Sequence, residues 1–310
     1  MSGERRRGVV LSGTGGVWRV RADDGTDHDV SLRGRLKQGD RFDKLAVGDD
    51  VDIIEGARGG GWSITHIHPR RSQLARRAPG GARGERVVVA NVDQVVIVFA
   101  IAKPEPHVRM IDRFLVIAEG NELPAALVLN KVDLATDAAM VDALAAPYEA
   151  AGYPVHRTSV KQPTGLDALR DRLTNRVTAL SGPSGVGKSS LINALYPGLS
   201  LRVGEISESV NKGRHTTVGA VLVPLPDGGY VVDTPGLREV GLWGLPSASL
   251  DHCFPEFRPS LGECRFQDCR HLAEPGCAVR DGVARGAISA ARHESYAKLL
   301  SELEAAERNY

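Results

Sequence analysis

Over the first 70 residues, apolar and polar positions alternate in short runs, GVVLS, GVWRVRA, HDVSLRG, DDVDII and WSITHIH, with glycine-bearing turns between them. Alternation with a period of two over such short stretches predicts half-buried strands, and five of them predict a small barrel of the OB type. From Val87 the pattern changes. The runs DQVVIVFA, AALVLN and PVHRTS alternate with amphipathic stretches at 108–118 and 138–151; then come a helical stretch at 165–175, the run RVTALSG, a helix starting near Lys188, and the strands GAVLVPL and GYVVD. Apolar strands alternating with amphipathic helices predict an α/β domain with a mostly parallel sheet. Beyond Gly244 lies a smaller region ending in a helix over 284–307, where Ile288, Ala291, Leu299 and Leu303 share a face.

The expected organisation is therefore multi-domain: a barrel over 1–72, a linker over 73–86, the α/β domain over 87–244 and a small, mostly helical region over 245–310. The linker reading rests on RRSQLARRAPGGARGERV, which combines charge with Pro79, Gly80, Gly81 and Gly84 and has too little apolar surface for a core.

Composition narrows the class. A chain of 310 residues with 42% apolar content can supply two or three globular cores. The N-terminal MSGERRRGVV has no apolar stretch behind its basic residues, and no run approaches the roughly 20 apolar residues of a membrane span, so a cytoplasmic protein without a membrane partner is expected. The net charge of +1 hides a bias, because residues 1–86 carry 17 Lys or Arg against 12 Asp or Glu. Six arginines lie between His66 and Arg86 against the single acid Glu85. Such a stripe is either a solvated face or a site for nucleic-acid phosphates.

The strongest motif is GPSGVGKS, Gly182, Pro183, Ser184, Gly185, Val186, Gly187, Lys188 and Ser189, followed by Ser190 at the start of a helical SSLINALY. It fits the phosphate loop in both spacing and context, a strand before and a helix after. Its N–H groups can cradle phosphates, Lys188 supplies charge at the β and γ positions, and the Ser189 hydroxyl suits Mg2+. YVVDTPG then delivers Asp233 at a strand end for the metal side and Gly236 for close approach to the γ-phosphate. Between them, NKGRHTTVG offers Thr216 or Thr217 to complete the magnesium shell.

Ahead of the phosphate loop in the chain, AALVLNKVDL places Asn130, Lys131, Val132 and Asp133 at a strand end. The Asp133 carboxylate can accept from guanine N1 and N2, a pair of donors that adenine lacks, while Asn130 braces the loop and the Lys131 stem can lie over the ring. TSVK, Thr158 to Lys161, ends another strand, where Ser159, Val160 and Lys161 can add backbone contacts to the guanine oxygen. A further set, Cys264, Cys269, His271 and Cys277, offers three thiolates and an imidazole within a short segment, able to close a tetrahedral structural Zn2+ site.

Base-reading residues that precede the phosphate loop resemble the circularly permuted GTPases. With the barrel before and the Cys-Cys-His-Cys region after, NKVDL, GPSGVGKSSLIN, KGRHTT, DTPG and FPEF resemble the ribosome small-subunit-dependent GTPase A family over nearly the whole chain. The resemblance implies an OB-fold RNA-binding N-terminal domain, GTP and GDP as nucleotides, hydrolysis stimulated by the small ribosomal subunit, and a role in late maturation of that subunit. The partners it implies are the subunit and its rRNA, with no DNA partner and a monomeric chain.

Many GTPases carry a glutamine after the glycine of the DTPG-type motif to orient the attacking water; here Leu237 stands there. Slow intrinsic hydrolysis is expected, with His215 in the switch segment as the candidate water-positioning group, an assignment the resemblance also implies. A surface histidine without a catalytic role is the alternative. Leu237 equally leaves open a GTP-gated binding module with incidental turnover, whereas Asp133 argues against an ATP-using phosphoryl transferase. Trp18, Phe42 and Trp62 of the barrel are available either to stack on bases or to pack the core.

Overall fold

The computed structural model describes residues 4–32, 45–56, 60–77, 85–199, 220–233 and 245–308. Its chain divides into two compact units. One comprises Met1–Gln94, Arg170–Leu180 and Ile192–Gly236; the other comprises Val95–Leu169, Ser181–Leu191 and Leu237–Tyr310. The span 87–244 contributes to both units.

In the first unit β1 (Arg5–Thr14), β2 (Val17–Ala22), β3 (Asp27–Leu32), β4 (Asp50–Gly56) and β5 (Gly60–Ile67) close a barrel in the order β1-β2-β3-β5-β4. All pairs are antiparallel except β3 with β5. The inward positions of the alternating runs, Val10, Val20, Val30, Val51, Ile53 and Ile64, fill it, as the period-two pattern requires. Trp18 and Trp62 pack against that core from its margin. Phe42 lies outside the described residues.

The stretch expected to be a linker begins and ends as a ladder. β6 (Gln73–Arg77) pairs antiparallel with β7 (Glu85–Ala90), and residues 78–84 between them are outside the described set. Leu74, Val89 and Ala90 are fully buried, and the Ala90 N–H donates to the Val47 carbonyl, so a few apolar residues backed by barrel backbone suffice to order strands that the local charge disfavours. The same unit contains β11 (Val177–Ser181), parallel to β13 (Tyr230–Asp233), with β12 (Leu222–Pro224) antiparallel on the far side of β13. It also takes in the C-terminal end of α3 (Leu166–Leu173).

In the second unit β8 (Gln94–Ala100), β9 (Ala125–Asn130) and β10 (Val155–Thr158) run parallel, with β9 in the middle. Every residue of β8 and β9 is buried, which explains their uninterrupted apolar sequence. The crossovers are α1 (Val108–Gly120) and α2 (Ala138–Ala150), the latter capped by Asp137, whose Oδ1 accepts from the Met140 N–H at 2.8 Å. Here too are α4 (Lys188–Leu195), through Leu191, and the C-terminal helices α5 (Ala278–Ala284) and α6 (Ala290–Arg308).

The final helix expected over 284–307 begins later, at Ala290, and its buried stripe differs from the expected one. Leu299 and Leu303 are inside, but Ala291 is exposed and the stripe is completed by Arg292, Ser295, Tyr296 and Leu300. Among the described residues no helix is long and apolar enough to cross a membrane.

Candidate nucleotide and metal sites

The loop expected to read the base begins where β9 stops. Asn130, 2% exposed, accepts from Thr158 Oγ1 at 3.1 Å and donates through Nδ2 to the Val186 carbonyl at 2.8 Å, so one amide joins the ends of β9 and β10 to the phosphate loop. Lys131 takes the left-handed conformation, φ 60°, which turns the chain out of the strand. Its Nζ donates to the Gly185 carbonyl at 2.6 Å and to the Lys103 carbonyl in the β8–α1 connection. Its ammonium therefore staples two loops together.

Val132 opens a short 3-10 turn through Leu134 that carries Asp133. Ser159 Oγ donates to Asp133 Oδ1 at 2.6 Å while accepting from the Gln162 N–H at 3.0 Å. The serine expected to contribute backbone contacts is seen instead to hold the Asp133 carboxylate through its hydroxyl. Val160 and exposed Lys161 form the turn that follows.

The phosphate loop depends on two glycines. A Cβ at Gly182, φ +134°, would lie 2.0 Å from the Val98 carbonyl oxygen, and one at Gly187, φ +99°, would lie 2.5 Å from Asn130 Nδ2. Only glycine allows the loop to pass this close to β8 and to the base loop. Lys188 is 9% exposed, with Nζ donating to the carbonyls of Gly182 at 2.9 Å and Pro183 at 3.1 Å, so the ammonium spans the interior of the loop. Ser189 is half-buried on the first turn of α4, Val186 is buried, and Pro183 is half-buried. Ser184, Gly185 and Ser190 are exposed. Backbone N–H groups at such a loop and helix start favour anions.

On the metal side, Asp233 closes β13 with its backbone paired to Leu180, two residues before Gly182 in the chain. His215, Thr216, Thr217, Gly236 and Leu237 lie outside the described residues.

Cys264, Cys269, His271 and Cys277 do come together, their ligand atoms all within 4.8 Å of one another. Cys264 Sγ is 3.5 Å from His271 Nδ1 and 4.0 Å from Cys277 Sγ, and His271 Nδ1 is 3.4 Å from Cys277 Sγ. Tetrahedral zinc with ordinary bond lengths requires separations of about 3.8 Å between sulfurs and about 3.6 Å from sulfur to nitrogen, so the donor set is compatible with a structural zinc.

Around this cluster stand residues that no sequence motif announced. Asp251 Oδ2 lies 3.6 Å from His271 Nε2, where an outer partner would fix the imidazole of a metal-binding histidine. Partial burial pushes the Asp251 carboxyl upward, but the His271 imidazole beside it and the hydrogen bond from the His252 N–H prevail and hold it below the usual range. Glu274 is likewise opposed by desolvation, yet N–H groups including those of Arg270, Leu272 and Ala273 bring it down to about 2. Its carboxylate thereby shapes the turn between His271 and Cys277. Neither acid belongs to a spacing pattern, because each reaches the cluster through the fold or through backbone donors.

The RsgA GTPase family profile matches residues 67–243. A protein from Gemmatimonas aurantiaca called small ribosomal subunit biogenesis GTPase RsgA is 60% identical, over 96% of this chain and 97% of that protein. Among solved structures, YjeQ from Thermotoga maritima superposes with a TM-score of 0.81 at 35% identity, covering 97% of this chain and 99% of that one. YloQ, described as a circularly permuted GTPase, gives 0.76 at 27% identity, covering 97% and 96%. Family membership implies a guanine nucleotide and Mg2+. With base-reading loop, phosphate loop and Cys3His cluster arranged as above, this chain belongs to the RsgA GTPase family of circularly permuted, GTP-hydrolysing enzymes.

Proposed function

We propose that this GTPase acts in late maturation of the small ribosomal subunit in the cytoplasm, as a monomer that binds rRNA, is stimulated by the subunit and uses hydrolysis to leave it. The observation that carries the nucleotide part is the direct joining of base loop to phosphate loop, Asn130 Nδ2 to the Val186 carbonyl at 2.8 Å and Lys131 Nζ to the Gly185 carbonyl at 2.6 Å. The two loops share one framework, so guanine recognition by Asp133 and phosphate binding by Gly182 to Ser190 act on a single ligand. The names of the RsgA relatives support the ribosomal part.

In this reading Lys188 leaves its loop carbonyls for the β- and γ-phosphates, while Ser189, Asp233 and Thr217 or Thr216 hold Mg2+, which supplies charge neutralisation to phosphoryl transfer. Gly236 approaches the γ-phosphate, and His215 positions the water that Leu237 cannot. The Cys264, Cys269, His271 and Cys277 set holds one structural zinc.

The RNA-binding stripe contracts. Arg70, with its side chain 10% exposed, is bound bidentately to fully buried Asp49 at 2.7 and 3.0 Å, and Arg71 pairs with Asp93 at 2.9 Å. Arg70 is thus held within the fold, whereas exposed Arg71 and the other arginines of the Arg70–Arg86 stripe are proposed for phosphate binding. Trp62 is already engaged, with the Arg6 guanidinium 5.4 Å and the His28 ring 4.2 Å from its own ring, which favours packing over base stacking.

The test is GTP turnover with and without purified small subunits across a salt series. Stimulation that fades with salt is expected, and His215→Ala should keep GTP affinity but lose most of the stimulation. Binding without stimulation would instead make the chain a GTP-gated module.

A further inference from the structure

Two neighbouring faces of α6 serve different parts of the second unit. His293 Nε2 donates to the His271 carbonyl at 2.7 Å, and Tyr296 OH donates to the Arg270 carbonyl at 3.0 Å, so the helix holds the backbone of the metal loop on both sides of the His271 peptide. Phe257 packs between these groups, its ring centroid 5.0 Å from Tyr296 and 6.4 Å from His271.

One residue round the helix, Arg292 points elsewhere. It is fully buried, and Nη1 donates to Asp112 Oδ1 on α1 at 2.7 Å, while Nε and Nη2 donate to the two oxygens of Glu256 at 2.7 and 3.1 Å. Glu256 is the acid of FPEF, whose flanking Phe254 and Phe257 are also buried. The guanidinium carbon lies 4.6 Å from the Phe254 ring centroid, 5.5 Å from Tyr148 and 5.8 Å from Tyr153. A planar fork fixed on two carboxylates and enclosed by three rings has one orientation, so moving α6 moves α1.

α1 in turn follows the connection from β8 that contains Lys103, whose carbonyl accepts Lys131 Nζ. The path from the 264–277 loop therefore runs through hydrogen-bonded and packed groups on α6, Arg292 and Asp112 to α1, and from α1 along the backbone to Lys103, which accepts from Lys131 Nζ.

We propose that Arg292 is a positioning residue that couples the zinc-bearing segment to the guanine-reading loops, so that zinc at Cys264, Cys269, His271 and Cys277 strengthens guanine-nucleotide binding. The proposal rests on the zinc reading given above. Nothing in it requires the barrel or the ribosome. The metal acts by holding the 264–277 loop in the shape against which His293 and Tyr296 dock, which sets the register of α6 and hence the pull on Asp112.

The test uses the full chain and a fluorescent GDP analogue, titrated with zinc bound, after stripping by a chelator, and after zinc is restored, with metal content measured throughout. Stripping is expected to weaken GDP binding reversibly by about fivefold or more, the lower end of usual site-to-site coupling. Arg292→Lys keeps the charge but replaces the fork with a single ammonium; its zinc-dependent change should shrink below about twofold, the coupling having lost its geometry. Should that variant fail to fold, Asp112→Asn, which retains a hydrogen-bond acceptor for Arg292, should reduce the ratio in the same direction.

Linkage supplies a reading that needs no metal-free protein: GDP should raise the affinity for zinc, read at equilibrium in competition with a chromogenic chelator, in the parent chain but much less in the variants. A merely structural arginine would lower the melting temperature in both metal states and leave the affinity ratio unchanged, and that result overturns the proposal. Zinc that binds without altering GDP affinity overturns the coupling alone. A chain that binds no zinc overturns the zinc reading and the coupling with it.

Discussion

Replacing Ser159 with alanine tests whether Asp133 reads the base in the orientation its neighbours impose. Ser159 is fully buried, and its hydroxyl donates to Asp133 Oδ1 at 2.6 Å, a length typical of a bond to an ionised acceptor. Removing a hydrogen bond to a charged group costs roughly 1.5–3 kcal/mol. Asp133 is only half-buried, so water can partly replace the hydroxyl, and the lower end applies. Because the bond holds the carboxylate in its base-reading orientation, the cost of restoring that orientation falls on binding, where about 1.5 kcal/mol corresponds to roughly a tenfold rise in dissociation constant.

The assay is a titration of Ser159→Ala with a fluorescent GDP analogue, followed by competition with unlabelled GDP and ADP. GDP should weaken about tenfold. ADP should be unaffected, because adenine has no donor pair for the carboxylate and its residual binding comes from the phosphate loop. A GDP affinity within about twofold of the parent would refute the role given to the hydroxyl, since the effect would then be far below the value of a charge-assisted bond. Equal weakening of GDP and ADP would point to collapse of the loop rather than loss of base reading.

Gly187→Ala should lower GDP affinity at least about tenfold in the same titration, because a positive φ and a Cβ 2.5 Å from Asn130 Nδ2 would break the joint between the two loops. Arg292→Met leaves Asp112 and Glu256 buried without their cation and should destabilise the chain by about 3–5 kcal/mol in urea denaturation; a loss below about 1 kcal/mol would refute the account of this cluster. Cys253 is buried, and that desolvation, reinforced by nearby Glu119, pushes its thiol up to about 12. Its reactive thiolate is therefore scarce at pH 8 and grows only as the pH approaches that value. Alkylation followed by mass spectrometry should find Cys253 far slower than an ordinary thiol of pKa about 8.5.

The departures from the sequence reading share a cause. Gln73–Arg77 reads as solvated linker because its stretch combines arginines with Pro79, Gly80, Gly81 and Gly84, yet Leu74 is fully buried and the ladder with Glu85–Ala90 forms against barrel backbone. Arg70 counted toward an RNA-binding stripe and is instead consumed by Asp49, 21 residues earlier. In the last helix a stripe drawn from apolar residues chose exposed Ala291 and passed over its buried neighbour Arg292, because burial of an arginine depends on carboxylates 36 and 180 residues away. No local pattern contains that information.

Sequence by itself determined the elements whose cause is local. Period-two runs specify the barrel strands; continuous apolar runs specify β8 and β9; glycine spacing specifies a loop that can wrap phosphates; and cysteine and histidine spacing specifies a Cys3His group compatible with zinc. Each depends on residues within one strand, turn or short loop, where backbone conformation and side-chain type are coupled directly. Only tertiary structure decided which groups hold those elements to one another: Asn130 on the Val186 carbonyl, Ser159 on Asp133, Asp251 beside His271, and Arg292 between Asp112 and Glu256. The physical reason is that a hydrogen bond or ion pair is selected by distance in space, and a chain folded back on itself brings together partners whose separation in sequence carries no signal.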